Sequence, residues 1–111
     1  MLNLNNLKEI TDGDPELLDQ LIKTFIETTR EDMQELKNAV KNRQSSLVAA
    51  TAHRIKGGAA IVGATQLYSM AGDMERLGIN ELETNYDSLL LDMQNNFTAI
   101  ENLYTGFWWC I

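Results

Sequence analysis

The chain holds a single histidine, His53, set in a run of small residues: Ala49-Ala50-Thr51-Ala52-His53-Arg54-Ile55-Lys56-Gly57-Gly58-Ala59-Ala60. On a helix, residues three and four positions away share a face. For His53 these are Ala49, Ala50, Lys56 and Gly57, with Ala60 one turn further. The apolar positions Leu47, Thr51, Ile55, Gly58 and Val62 recur in steps of three and four and define a different stripe. At about 100° per residue, His53 stands roughly 160° from both Thr51 and Ile55. The imidazole is therefore expected to point out of the core, over a collar of small side chains.

That pattern fits a nucleophile served by another molecule. A neutral imidazole, with an unperturbed pKa of about 6.5, is a competent nucleophile at physiological pH. Lys56 places an ammonium one turn along, where it would offset the negative charge of a phosphoryl group on the ring. Glycine inside a helix costs about 0.8–1 kcal/mol against alanine. Gly58 falls on the core stripe and is expected to allow a close helix crossing. Gly57 falls on the histidine face, where its use would be clearance for a partner's active site coming down over the ring.

The elements that must position this run read as helices. Leu4 to Ile10 can form a short leading helix. Asp14-Pro15-Glu16 is a helix start, with Asp at the N-cap and the only proline at the first helical position. From Leu18 to Val40 apolar residues recur at helical spacing, giving one long helix to about Lys41. A polar break, Asn42 to Ser45, precedes a helix from about Ser46 to Val62, capped by Ser45 or Ser46 and ended by Gly63. A third long helix is predicted from Thr65 to Leu77, stopped by Gly78, with Met70 and Met74 inward. A fourth follows Asn80, with Leu82, Tyr86, Leu89, Leu90, Met93, Phe97, Ile100 and Tyr104 on its stripe and Gly106 at its end. Short connections imply antiparallel neighbours. The expected fold is all-α: an antiparallel up-and-down four-helix bundle capped by the short N-terminal helix. It forms one domain over residues 1–111, with a core at about 8–104 and an apolar tail, 105–111, whose Trp108 and Trp109 are expected to pack at that end.

Composition narrows the function. The chain has 111 residues, 16 acidic against 9 basic, for a net charge of -7. Phosphate backbones and anionic membranes are gripped by Lys and Arg, so neither nucleic acid nor a lipid surface is an expected partner. The single cysteine, Cys110, and single histidine allow no internal disulfide and no Cys/His metal cage. No apolar run approaches the ~18 residues of a membrane span. The charge is uneven: residues 36–72 hold five bases and no acid, an island of positive sign around His53 that would suit an acidic pocket. Paired carboxylates such as Glu31-Asp32 and Glu81/Glu83 read as solvated faces and cap charges. Gly57-Gly58 and Gly63 do not make a phosphate loop, since no Gly-Lys-Ser/Thr follows.

His53-Arg54-Ile55-Lys56-Gly57 resembles the His-x-Leu-Lys-Gly signature of histidine-containing phosphotransfer (HPt) domains, with Ile in the Leu place. The helix-ending Gly63 ten residues after the histidine, then Leu67, Met74-Glu75 and Gly78, fall where that family has their counterparts, and the likeness spans roughly residues 8–104. The resemblance implies a bundle that takes a phosphoryl group on one histidine from the aspartate of a receiver domain and passes it to another receiver's aspartate. It implies no autonomous kinase activity and no cofactor of its own, with Mg²⁺ held in the partner's acidic pocket. His53 would be the phosphoacceptor, Lys56 the stabilising charge and Gly57 the clearance residue. Glu75 stands at the position that orients the imidazole, although many members carry an amide there. Ala49, Arg54, Gly57 and Ala60 would meet the docked partner. Gly58 departs from the commoner Ser or Ala.

The partners so implied are the receivers of a hybrid sensor kinase and of a response regulator. The domain would be monomeric and cytoplasmic, a C-terminal module of a bacterial hybrid sensor histidine kinase anchored in the inner membrane. The alternative is a non-catalytic helical adaptor that docks a receiver without transfer. Only the first would carry acid-labile, alkali-stable phosphate on His53.

Overall fold

The computed structural model describes the backbone of residues 4–109 and side-chain burial over residues 7–104. Among the described residues there is no strand. Five α-helices follow one another: α1 (Leu4–Thr11), α2 (Pro15–Lys41), α3 (Ser45–Val62), α4 (Thr65–Ile79) and α5 (Tyr86–Trp109), with a 3-10 turn at Glu83–Asn85 ahead of α5.

The start of α2 is fixed by local chemistry. The Asp14 carboxylate accepts from the backbone N–H of Glu16 at 3.0 Å and of Leu17 at 3.3 Å, and Pro15 occupies the first helical position. These bonds satisfy donors that a helix start otherwise leaves open. α3 ends at Gly63, whose φ of 70° is left-handed and suits glycine.

The helices pack in a closed ring: α2 on α3, α3 on α4, α4 on α5, and α5 back on α2. Each pairing runs antiparallel. Arg43 bonds Asp87 while Arg30 bonds Glu101, so α2 and α5 descend past one another. Glu35 meets Arg54 while Phe25 faces Gly58, and Ala49 faces Gly78 while Lys56 faces Gly72. Asn96 bonds Gln66 while Tyr86 bonds the Leu77 carbonyl, which orders α4 and α5. α1 packs on α2 and α3 and seals the bundle with fully buried Leu7. The core runs through Phe25, Leu36, Ile55, Leu67, Met74, Met93 and Ile100, and an edge-to-face contact of Phe25 with Phe97 at 6.4 Å ties α2 to α5.

Several expectations change. The cap of α3 is Gln44 without a side-chain bond; Ser45 lies inside the helix, and its hydroxyl accepts from Tyr86. Val48, Ala52 and Ala59 are buried where Leu47 and Gly58 were expected; Leu47 is exposed and Gly58 half-buried. α3 packs on both α2 and α4, so its buried arc is wider than a single stripe and takes in Val48, Ala52 and Ala59. Met74 and Met93 are buried and Met70 is half-buried.

Gly78 does not stop α4, which continues to Ile79. Leu82 is exposed ahead of the 3-10 turn, and α5 runs through Gly106 to Trp109. Helix hydrogen bonds along α5 outlast the local penalty of a glycine, as a single unfavourable propensity can be overridden. The packing expected of Trp108 and Trp109 falls outside the residues whose side chains are described.

Candidate functional site

His53 sits near the middle of α3, on the face turned from the core, and two-thirds of its side chain is exposed (66%). α4 runs antiparallel beside it and brings Glu75 alongside. Glu75 Oε2 lies 2.8 Å from His53 Nδ1, and its other oxygen, Oε1, accepts from Lys56 Nζ at 2.6 Å. One carboxylate thus joins two residues of α3 that stand three apart. Glu75 is mostly covered, at 18% exposure, and Lys56 at 27%. The Lys56 stem passes over Gly72 of α4, 3.7 Å from where a β-carbon there would lie.

This arrangement fixes charge and tautomer. The Lys56 ammonium first, and the His53 ring second, hold the Glu75 carboxyl below its usual 4.5, against the opposing effect of burial. An ionised carboxylate only accepts hydrogen bonds. The Nδ1 of a neutral His53 must therefore carry the ring proton and donate it to Glu75. Nε2 is left with its lone pair.

The flank toward α2 is built differently. Arg54 donates to Asp32 Oδ1 at 3.3 Å and also bonds Glu35. The expectation that Glu31-Asp32 is simply a solvated pair fails for Asp32, whose side chain is only 13% exposed beneath Arg54. On α4, Arg76 bonds Asp73.

The two bases of the island nearest His53 are paired in space: Lys56 meets Glu75 of α4, and Arg54 meets Asp32 and Glu35 of α2. These acids stand 19 to 22 residues away along the chain.

Gly57 has no atom within 4 Å of the place of a β-carbon, so its space is open, and Ala50 and Ala60 are exposed beside it. Ala49 is half-buried, and its backbone N lies 2.7 Å from where a β-carbon on Gly78 would sit. It is first a helix-crossing residue, not an open docking position. Gly78 was read as a helix stop, but its role is to let α3 and α4 approach. No local signal marks it as such, since a glycine near a helix end looks the same either way.

Three surface grooves lie elsewhere, lined between α2 and α5 by residues such as Lys23 and Arg30, and between α4 and α5 by residues such as Leu77 and Asn96. His53 is in the wall of none of these three. Among the described residues no three His, Cys, Asp or Glu side chains gather to hold a metal ion. No described helix is long and apolar enough to cross a membrane.

Two solved structures share the architecture. Histidine-containing phosphotransfer protein B from Pseudomonas aeruginosa PAO1 superposes with a TM-score of 0.88 at 21% identity, over 95% of this chain and 91% of that one. The HPT domain of a sensor hybrid histidine kinase from Shewanella superposes with a TM-score of 0.81 at 13% identity, over 99% and 95%. At such identities the likeness speaks for the fold. No curated protein matches the sequence. The Hpt domain family model matches residues 20–105, a span that includes α3, α4 and every residue of the His53 cluster. The chain belongs to the Hpt domain family, whose members serve histidine phosphotransfer in phosphorelay signalling.

Proposed function

We propose that this domain is a phosphorelay intermediate in which His53 Nε2 accepts a phosphoryl group from the aspartate of one receiver domain and passes it to the aspartate of another. The observation that carries this reading is the pairing of an outward His53 with Glu75 at its Nδ1, which leaves Nε2 as the exposed nucleophilic nitrogen. A receiver docking over α3 would meet the open ground of Ala50, Gly57 and Ala60, with Arg54 at its edge. The domain contributes position and charge. The acidic pocket and its Mg²⁺ belong to the receiver, and phosphate enters from that partner and not from ATP.

The test is transfer from a panel of phosphorylated receivers, ranked by rate. Acid-labile, alkali-stable label on the wild-type domain and none on His53→Gln, with helicity kept, is the expected result. Label retained in His53→Gln would sink the assignment. Incubation with ATP alone is expected to label nothing.

A further inference from the structure

α4 and α5 leave a groove along their seam. Two depressions of about 510 and 550 Å³ follow one another there and share Asp92 of α5 in their walls. Asp73 and Leu77 of α4 line the first of them. Each stands two residues from Glu75, and so about 200° round the helix from the side chain that meets His53. The groove therefore faces away from the His53 cluster.

Its floor is apolar. Met70 and Leu77 stand seven residues apart on α4, Leu89 joins them from α5, and all three are half-buried against the core. That spacing suits a helix laid into the groove with apolar anchors at i, i+3 or i+4, and i+7. The α4 wall, from Gln66 to Asn80, is about 21 Å long at 1.5 Å per residue, the length of a helix of about 14 residues.

The walls select by charge. Their one cation, Arg76, is bonded to Asp73. Asp92 is exposed, and its carboxylate has no hydrogen bond or ion pair among the described residues. At the Asn80 end Glu81 is likewise exposed and unpaired. Asn96 bonds Gln66 through its Nδ2 and leaves its covered Oδ1 without a hydrogen-bond partner. The groove thus offers negative charge and acceptor oxygens, and no free cation. A second copy of the chain would bring a net charge of -7 and the same carboxylates, so its charge opposes it as the occupant.

We propose that the α4–α5 groove is a docking site, separate from the His53 face, for a basic amphipathic helix. Its apolar side chains lie on Met70, Leu77 and Leu89, and a Lys or Arg reaches Asp92. The site does not depend on phosphotransfer at His53.

The test uses the 111-residue domain, isotope-labelled, and an amidated peptide of leucine and lysine. The peptide is about 14 residues long, with its leucines at helical spacing. A second peptide has the same composition but leucines scattered round the helix, and a third has glutamate for lysine. Binding is followed by amide NMR shifts. Only the first peptide is expected to bind, with the largest shifts along the α4–α5 seam. Its affinity should fall about tenfold on Asp92→Lys, where attraction becomes repulsion. Asp92 is exposed, so that variant should keep its fold, and circular dichroism reports it. Leu89→Ala, checked in the same way, should also bind more weakly. Failure of the first peptide to bind overturns the proposal, as does equal binding by the scattered peptide, which would mean attraction of charge alone. Undiminished binding to Asp92→Lys, or shifts centred on α3, overturns it as well. Seam shifts that grow with the concentration of the domain alone would assign the groove to a second copy and overturn it too.

Discussion

Gly57 and Gly78 belong to the same helix pair, and they are glycine for opposite reasons. Around Gly57, on the outer face of α3, nothing lies within 4 Å of a β-carbon. At Gly78, in the seam of α3 and α4, a β-carbon would fall 2.7 Å from Ala49 N and 3.0 Å from Ala49 Cα. The first glycine does nothing for the fold, and its helix would be better without it. The second is required by the fold, because the backbone that it faces cannot step aside. The seam also brings Glu75 against His53 and Lys56, so the glycine that packs serves the site indirectly. The glycine that packs nothing is left open on the outer face of α3.

The sharpest way to break the comparison is to add one methyl group at each place. Gly78→Ala is expected to destabilise the domain by about 1–3 kcal/mol, the usual cost of overpacking, seen as an earlier urea midpoint. It should also loosen the His53–Glu75 contact, visible as a changed imidazole proton signal. A Gly78→Ala protein as stable as wild type would mean that the seam can open without cost.

Next in size is Glu75→Gln. A carboxyl held below its usual 4.5 in the folded state contributes stability above that pH, and the contribution is lost as pH falls through the lowered value. The wild-type advantage over Glu75→Gln, about 1–2 kcal/mol at pH 7 for a charge-assisted bond of a mostly covered pair, should therefore shrink toward zero in acid. Paired denaturation curves at pH 7 and pH 3 measure it. An advantage that persists at low pH would contradict the charge-based account.

Gly57→Ala is expected to work the other way. It should stabilise the domain by about 0.8–1 kcal/mol through helix propensity alone, while slowing phosphotransfer from a receiver. Undiminished transfer would remove clearance as the reason for glycine there.

The smallest effect belongs to the α2 flank. Arg54→Ala should cost only about 0.5–1 kcal/mol, since Arg54 is 47% exposed and solvent screens such pairs. Double-mutant cycles with Asp32→Asn test whether the pair couples at all.

Much of the fold was legible in the sequence, for local reasons. Asp14-Pro15 marked the start of α2 because capping involves neighbours a few residues apart, and Gly63 marked the end of α3 because a left-handed residue there suits glycine. His53 was placed outward by helical phase alone, and Glu75 was placed beside it by family resemblance. The errors are of another kind. Gly78 and Gly106 were read as stops because glycine weakens a helix locally, yet α4 and α5 run past them. Ala49 was read as open surface, yet it abuts α4. Three of the five bases in the positive island of residues 36–72 are met by acids from other helices: Arg43 by Asp87, Arg54 by Asp32 and Glu35, and Lys56 by Glu75.

The sequence by itself determined the helices, the outward histidine and the small residues around it, because periodicity and capping act over a few residues along one helix. Only the tertiary structure decided which charges around His53 are free. Lys56 and Arg54 sit two residues apart on α3, yet one is drawn to α4 and the other to α2. Electrostatic pairing acts over a few ångströms of space and ignores distance along the chain. The sign that His53 presents to a partner is therefore set by helix packing.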